Sequence, residues 1–288
     1  MNNAELSKIK IGVAGLGLIG GSLAMAFKHK VGAFVAGFDN NPQTISSAIK
    51  TGAVSTASLN VDVLFDADYI FVALYPEDII AFIKTHAASF KKGSVVIDCC
   101  GVKAYIFDAV SDTAYTNGFY FIGGHPMAGT EKNGFSAANE ELFIGASFIL
   151  TPPTTIPENI INSLSELLIL IGFKQIVLTS PEHHDRMIAF TSQLPHILSC
   201  AYVSSPCCAG HKGFSAGSYR DVSRVANINP PLWAELFIDN KKALCEEIDI
   251  LIYNLLELRE ASATGDFIKL TALLTKARTI KDGADLVE

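Results

Sequence analysis

The segment GGHPMAGTEKNGF, residues 123–135, places His125 between a glycine pair and a proline. Glycine and proline dominate it and no apolar periodicity runs through it, so it predicts a loop rather than the interior of a helix or strand. An imidazole can take up a proton near neutral pH, which makes His125 a candidate general base. The alternative is a histidine that merely packs in a surface loop, and the segment alone favours neither.

Three more histidines lie in PEHHDRMIAFTSQLPH, residues 181–196. We expect His183 and His184 to lie on the solvated first turn of a helix. His196 follows Pro195, which interrupts a helix and frees backbone groups. His196 is therefore the stronger candidate for a site.

An arginine-containing segment, GFSAGSYRDVSRVA, spans residues 213–226 and includes Arg220, Asp221 and Arg224. A guanidinium can hold a carboxylate through two parallel hydrogen bonds, so one of these arginines is a candidate substrate clamp. The alternative is a surface loop with an Arg–Asp pair. A further segment, DCCGVK at residues 98–103, lies at a predicted strand end and helix start and also carries residue types that could do chemistry. The alternative for Lys103 is a surface cation.

A glycine motif, Gly15-x-Gly17-x-x-Gly20, follows an apolar run and precedes an amphipathic stretch. Its glycines suit a tight turn, close approach of a pyrophosphate and close helix–strand packing, with the phosphates at the helix N-terminus. Asp39 ends the second apolar run, where a carboxylate binds the adenosine ribose, and a carboxylate there would repel a 2′-phosphate. The pattern predicts binding of NAD rather than NADP by Asp39 and by the loop residues Gly15, Leu16, Gly17, Leu18, Ile19 and Gly20.

The elements that must position these groups alternate along the first part of the chain. Strands are predicted at residues 9–14, 33–38, 69–74, 94–98, 119–124, 147–152 and 174–179. Helices are predicted between them, including residues 77–90, 103–116 and 158–171. Buried strands that alternate with helices indicate a parallel, doubly wound sheet.

The pattern changes after Ser180-Pro181, which suit the N-cap and the first position of a helix. From there only helices are predicted, at residues 182–204, 231–260 and 264–280. We therefore predict an α/β fold with a doubly wound Rossmann-type parallel sheet domain at residues 1–179. An all-helical C-terminal domain, residues 180–288, follows it, and its apolar faces favour a homodimer.

Composition narrows the class of protein. The formal net charge of −7 argues against a nucleic-acid partner, and 49% hydrophobic against 18% charged residues argues against extensive disorder. No apolar run reaches the length of a membrane helix, and the N-terminus lacks the apolar core of a signal peptide. The six cysteines show neither a disulfide framework nor the spacing of a metal site, so we expect free thiols in the cytoplasm and no metal.

Together, GVAGLGLIGGS, DCCGVK, GGHPMAGTEKNGF, SQLPH and RDVSRVANINPPLW resemble the prephenate/arogenate dehydrogenase family of tyrosine biosynthesis, in the family's order from about residue 9 to residue 260. The resemblance implies a Rossmann domain followed by a helical substrate-binding and dimerisation domain. It also implies a small-molecule substrate and an NAD-dependent oxidative decarboxylation of prephenate to 4-hydroxyphenylpyruvate. The alternatives are an arogenate dehydrogenase, a dehydrogenase for 3-hydroxy acids, and a non-enzymatic NAD-responsive protein.

The resemblance also implies roles for individual residues. His125 matches the family's catalytic histidine, and Arg224 matches an arginine that binds a substrate carboxylate. The substrate pocket would further contain His196, Glu131, Trp233 and Gly217.

Two positions depart from the family's pattern. Gly101 stands where the family often has a serine that assists the catalytic histidine, and Gln193 stands where it has a histidine. Water, Ser22 or Thr130 are candidates for replacing the missing hydroxyl.

Overall fold

The structure is a computed structural model that describes residue 6, residues 8–130 and residues 132–285. The chain divides into two compact units, one up to Asn240 and one from Lys241 onward, and each is described by itself. The boundary at residue 179 between a dinucleotide-binding and a helical domain stays a prediction.

The first unit contains an eight-stranded sheet with the strand order β3-β2-β1-β4-β5-β6-β7-β8. Its strands are β1 Lys10–Ala14, β2 Phe34–Phe38, β3 Thr56–Ser58, β4 Tyr69–Val72, β5 Val95–Asp98, β6 Tyr120–Pro126, β7 Ser147–Thr151 and β8 Gln175–Leu178. The short, partly exposed strand β3 is an addition to the predicted set. The predicted α/β fold is confirmed.

One strand pair departs from the predicted parallel sheet. β6 and β7 run antiparallel, whereas the other neighbouring pairs in the described residues are parallel. A parallel connection needs a long crossover, usually a helix. Among the described residues between β6 and β7, the one helical segment is a short 3₁₀ turn at Phe135–Ala137, so the chain returns antiparallel without a crossover helix.

Five helices connect the strands and cover the sheet: α1 Leu18–Ala26, α2 Pro42–Lys50, α3 Pro76–His86, α4 Ala104–Asn117 and α5 Glu158–Leu170. Neighbouring strand residues point to opposite faces, so Phe71 and Ile97 join one buried apolar cluster while Ile70, Val72 and Val96 join another. The sheet is therefore buried on both faces, as a doubly wound fold requires.

The helical part of the first unit is more broken than predicted. It contains α6 Pro181–Ile188, a π-helical turn at Ala189–Gln193, α7 Leu194–Val203, α8 Gly217–Ser223 and α9 Pro230–Asp239. The helix predicted over residues 182–204 is interrupted, as expected, and the interruption is the π-helical turn just before Pro195.

The single helix predicted over residues 231–260 is wrong. It is interrupted at Asn240, whose backbone leaves the helical region at φ −106° and ψ 21°. The buried Asn240 amide donates hydrogen bonds to the Asp185 carbonyl oxygen at 2.8 Å and to the Gln193 side-chain oxygen at 2.7 Å. A buried side-chain amide needs hydrogen-bond partners, and Asn240 finds them at the point where α9 ends.

The second unit consists of α10 Lys241–Thr264 and α11 Phe267–Asp285. The two helices meet at Gly265, whose φ of +67° suits a glycine. A 2.8 Å ion pair between Lys269 and Glu260 links them. Exposed apolar side chains lie on both helices, including Ile252, Tyr253, Leu256, Phe267, Ile268 and Ile280.

Within the described ranges, each helix is either too short or too polar to cross a lipid bilayer.

Candidate active site

Two glycines of the Gly15-x-Gly17-x-x-Gly20 loop are required by close backbone packing. Gly15 has a φ of +83°, and a Cβ built there would lie 2.5 Å from the Ala73 carbonyl oxygen. A Cβ at Gly20 would lie 1.8 Å from the Gly15 carbonyl oxygen. Any larger residue at either position would force the loop away from β4 or α1 away from the loop.

The third glycine, Gly17, faces open space. A Cβ at Gly17 would meet no atom within 4 Å, and α1 begins at the next residue. Gly17 has no side chain to cap α1, so the first N–H groups of that helix can bind a phosphate. The loop therefore fits a pyrophosphate at this place.

Asp39 lies beside the same loop. One carboxylate oxygen accepts a 2.8 Å hydrogen bond from the Leu16 N–H, and the other accepts a 2.8 Å bond from the Asn41 N–H. These bonds hold the carboxylate between the loop and the end of β2. The Leu16 side chain lies in the core, so Leu16 can face a ligand only through its backbone.

The loop geometry separates a binding effect from a folding effect. Gly17→Ala adds a methyl to open space, so we expect unchanged thermal unfolding and a KM for NAD⁺ about 10-fold higher or more, since the methyl lies where a pyrophosphate must approach. Gly20→Ala is the matched variant, and we expect it to lower the unfolding temperature because its methyl overlaps the Gly15 carbonyl. Equal NAD⁺ affinity in Gly17→Ala and the wild type would contradict this assignment.

His125 lies in strand β6 and not in the predicted loop. The reason is close packing at the preceding glycines. A Cβ at Gly123 would lie 2.2 Å from the Thr151 hydroxyl, and one at Gly124 would lie 2.6 Å from the Asp98 carbonyl oxygen. The glycine pair therefore lets β6 pass between β5 and β7 and carries His125 to the carboxyl end of the strand.

The backbone next to His125 is held by a buried ion pair. Lys103 is 1% exposed and Asp98 is fully buried, so the alternative of a surface cation at Lys103 is wrong. The Lys103 ammonium pairs with the Asp98 carboxylate and donates a 2.7 Å hydrogen bond to the Gly124 carbonyl. Asp98 in turn accepts a 3.2 Å bond from the Gly124 N–H. Both polar groups of Gly124 are thus bound, directly before His125.

A second histidine contacts His125. The His125 Nδ1 and His184 Nε2 atoms are 2.9 Å apart, and the His184 Nδ1 lies 2.7 Å from a carboxylate oxygen of Asp185. His184 is only 1% exposed, so its predicted place on a solvated turn is wrong. His183 is exposed, as predicted.

Asp185 also joins the histidine pair to helix α4. Its carboxylate accepts hydrogen bonds from the Lys103 N–H at 2.8 Å and the Ala104 N–H at 2.9 Å. A carboxylate at a helix N-terminus is favoured by the helix dipole and satisfies N–H groups that have no partner within the helix. Asp185 therefore caps α4 from a distant part of the chain.

The charge state of the histidine pair follows from burial. Burial lowers the pKa of His125 well below its ordinary value, and the nearby His184 and Lys103 lower it further. Burial also lowers the pKa of His184, although its bond to Asp185 acts in the opposite direction. Both rings are thus neutral near pH 7, and a neutral imidazole can accept a proton.

A second group of predicted residues lies around His196. Its Nδ1–H donates a 2.7 Å hydrogen bond to the Ser192 carbonyl, and its ring stacks on Trp233 with 3.7 Å between the ring centroids. Burial and the positive charge of Arg224 lower the pKa of His196, against the effect of the Ser192 bond. The exposed Arg224 therefore lies close enough to His196 to influence it.

Helix α9 borders both groups. Trp233 contacts His196, while Leu236, one turn further, lies where a Cβ at Gly101 would meet its side chain at 3.4 Å. The same Cβ would lie 4.0 Å from the His125 ring. Helix α9 therefore contacts His196 through Trp233 and reaches the surroundings of His125 through Leu236.

Two further predicted substrate residues, Gly217 and Glu131, remain predictions. Gly217 begins α8, and a Cβ there would meet no atom within 4 Å. Its assignment to the site stays a prediction. Glu131 lies outside the described residues.

Two family models match the chain. The one described as the nucleotide-binding domain of prephenate dehydrogenase matches residues 23–177, and the one described as its dimerization domain matches residues 180–276. This chain belongs to the prephenate dehydrogenase family. The predicted family is confirmed.

Individual members of the family are similar over most of their length. The prephenate dehydrogenase of Bacillus subtilis is 30% identical over 95% of this chain and 76% of its own. The Synechocystis arogenate dehydrogenase structure is 29% identical, with a TM-score of 0.82 over 96% of this chain and 100% of its own. A structure of A. aeolicus prephenate dehydrogenase in complex with hydroxyphenyl propionate and NAD⁺ is 24% identical, with a TM-score of 0.85 over 96% and 99%.

The structure shows the surroundings of the two positions that depart from the pattern of prephenate dehydrogenases, Gln193 and Gly101. Gln193 is buried and joins α7 to the end of α9, since it donates a 2.9 Å bond to the Leu236 carbonyl and accepts the bond from Asn240. The hydroxyls suggested as substitutes near Gly101 are engaged elsewhere. Ser22 donates to the Leu18 carbonyl at 2.6 Å, and Thr130 accepts from the Lys132 N–H at 3.3 Å.

Proposed function

We propose that this chain catalyses the NAD⁺-dependent oxidative decarboxylation of prephenate to 4-hydroxyphenylpyruvate, with His125 as the general base. The observation that carries the proposal is the position of His125 at the carboxyl end of β6, where burial lowers the pKa of its imidazole. Strand β6 lies three positions from β1 in the sheet, so His125 and the glycine loop lie along the same carboxyl edge, where a doubly wound fold binds its ligands.

The reaction divides between His125 and the substrate's own ring. Prephenate carries a 4-hydroxyl and a ring carboxylate. NAD⁺, when bound, supplies the acceptor for the hydride that leaves the carbon bearing the hydroxyl. His125 takes the hydroxyl proton, which lets the carbon–oxygen double bond form. Loss of the ring carboxylate as carbon dioxide leaves its bonding electron pair in the ring, which becomes aromatic. The oxygen then takes back a proton to give the phenol, and the reaction is effectively irreversible.

Asp39 supports NAD⁺ as the cofactor in place of NADP⁺. Its carboxylate is held beside the glycine loop by the N–H groups of Leu16 and Asn41. A carboxylate there can accept hydrogen bonds from the ribose hydroxyls and would repel a 2′-phosphate. The Asn40-Asn41-Pro42 sequence after it supplies no arginine for such a phosphate.

Arg224 is the proposed substrate clamp. Its guanidinium lies near the His196–Trp233 pair and can hold a carboxylate through two parallel hydrogen bonds. A charge-assisted bond from Arg224 to a substrate carboxylate would orient the ring toward His125. His196, Trp233, Gly217 and Glu131 complete the proposed substrate pocket.

Arogenate is the second candidate substrate, because the Synechocystis structure similar to this chain is an arogenate dehydrogenase. Arogenate carries an alanyl side chain where prephenate carries a pyruvyl one. The ring chemistry at His125 is the same for both substrates.

We further propose a cytoplasmic homodimer formed through the helical part of the chain, residues 180–288, with residues 1–179 as the dinucleotide-binding domain. The family model described as a dimerization domain supports this, together with the exposed apolar side chains of α10 and α11. Apolar faces of that kind are normally covered in an assembly.

A steady-state assay with prephenate and arogenate, each with NAD⁺ and NADP⁺, tests the proposed function. We expect turnover of prephenate with NAD⁺, detected as NADH absorbance, and a kcat/KM at least about 10-fold lower with NADP⁺ because of Asp39. A higher kcat/KM with arogenate would make arogenate the substrate in place of prephenate. A preference for NADP⁺ would overturn the role of Asp39. Turnover of short 3-hydroxy acids in place of both substrates would overturn the function.

A further inference from the structure

We infer that His184 and Asp185 are positioning residues that hold His125 in the one neutral form whose Nε2 atom can accept a proton. The inference rests on the proposed function in assigning His125 the role of base. It assigns a function to a histidine outside the segments that resemble the family's substrate pocket.

The direction of the hydrogen bonds is set at Asp185. An ionised carboxylate only accepts hydrogen bonds, and that of Asp185 already accepts two from the start of α4. The 2.7 Å contact with His184 must therefore be a bond donated by the His184 Nδ1–H. In a neutral ring, the His184 Nε2 then carries no proton.

The same logic extends to His125. An unprotonated His184 Nε2 is an acceptor, so the 2.9 Å contact is a bond donated by the His125 Nδ1–H. The remaining ring nitrogen of His125, Nε2, then carries a free lone pair. The chain Asp185–His184–His125 thus selects the form of His125 that can act as a base.

The surroundings keep this chain of bonds in place. Burial keeps both rings neutral, and the charged groups around them, Lys103, Asp98 and Asp185, bind one another or the backbone. The start of α6 is fixed by the Ser180 hydroxyl, which accepts a 3.2 Å bond from the His183 N–H, and by the Asn240 amide on the Asp185 carbonyl.

His184 also accounts for the missing hydroxyl at Gly101. A side chain at Gly101 would start 4.0 Å from the His125 ring, but glycine has no side-chain donor or acceptor to place there. The partner that His125 has in the structure is His184, which approaches from α6.

A pair of substitutions at His184 tests the relay. His184→Leu removes the acceptor for the His125 Nδ1–H. We expect kcat to fall about 10- to 100-fold, which is a part of the roughly 10²–10⁴-fold that a positioned base contributes. We expect KM for prephenate and for NAD⁺ to change by less than about 3-fold. His184→Gln can donate to Asp185 through its nitrogen and accept from His125 through its oxygen, so we expect it to retain kcat within about 3-fold. His183→Leu, at the exposed neighbouring position, is the control with unchanged kinetics.

The second readout is the tautomer itself. In wild-type protein labelled with ¹⁵N-histidine, we expect NMR to show His125 protonated at Nδ1 and bare at Nε2, and His184→Leu to show both tautomers. A wild-type His125 protonated at Nε2 would overturn the relay, even if His184→Leu failed to fold. So would equal kcat in His184→Leu and the wild type. Absence of prephenate turnover in the wild type would instead count against the proposed function and leave the NMR test intact.

Discussion

His125→Asn is expected to lower kcat for prephenate by about 10²–10⁴-fold, the usual contribution of a general base, and to leave NAD⁺ affinity nearly unchanged. An asparagine amide nitrogen can still donate to His184, so the buried chain to Asp185 keeps its partner. The variant therefore removes the lone pair that takes the substrate proton and little else. Steady-state kinetics give kcat, and calorimetric titration gives the NAD⁺ dissociation constant.

The pH dependence of the wild type provides an independent check. Because the pKa of His125 is lowered, the ring stays unprotonated as the pH falls below 6.5, so kcat/KM should decline only as the pH falls through that lowered pKa. His183→Asn, at an exposed histidine, is the matched control and should keep full activity. A His125→Asn variant that retains most of its turnover would remove His125 from the chemistry.

Much of the fold could be predicted because its signals are local. The continuous apolar runs of buried strands differ from the amphipathic pattern of the helices between them, so the alternation of strands and helices could be predicted. The antiparallel pairing of β6 and β7 could not be predicted, because it depends on a connection that forms no crossover helix. The break at Asn240 depends on hydrogen bonds to Asp185 and Gln193, which lie far away in sequence.

The same division holds for the candidate site. The glycine loop, Asp39 and His125 could be proposed from their places at strand ends. His184 was predicted to be exposed, and exposure was the alternative for Lys103, because nothing local shows the burial of either residue. Their partners lie far along the chain, 59 residues away for His184 with His125 and 82 residues away for the Lys103 N–H with Asp185. The one available signal was an aspartate directly after His184 in a helix's first turn.

The strand glycines show how one pattern can have two causes. Gly123 and Gly124 end the strand predicted at residues 119–124 and also begin the segment whose glycines and proline predict a loop. In the structure they lie in β6 because atoms of β5 and β7 occupy the space of any side chain. Sequence alone cannot separate a glycine needed for its backbone angles from one needed for close approach.

Arg224→Ala is expected to raise the KM for prephenate by roughly 10²–10³-fold, with a smaller effect on kcat. A hydrogen bond to a charged group contributes about 1.5–3 kcal/mol, and loss of orientation adds to it. If the clamp holds the substrate equally in the ground state and the transition state, the loss falls on KM alone. A parallel fall in kcat would show that Arg224 also orients the reacting carbon toward His125.

Arg220→Ala is the matched control for this variant, because Arg220 is an exposed arginine one helical turn earlier in the same segment. Arg220→Ala should leave kcat and KM for prephenate unchanged if the substrate is bound by an arginine close to His196 and Trp233. It should not do so if any positive charge on this surface is sufficient. Equal losses in the two variants would mean that the segment attracts an anionic substrate only by its overall charge, and raising the salt concentration would then abolish the difference from wild type. A specific clamp at Arg224 predicts the opposite, a KM defect that persists at high salt because a bidentate contact depends on geometry as well as charge.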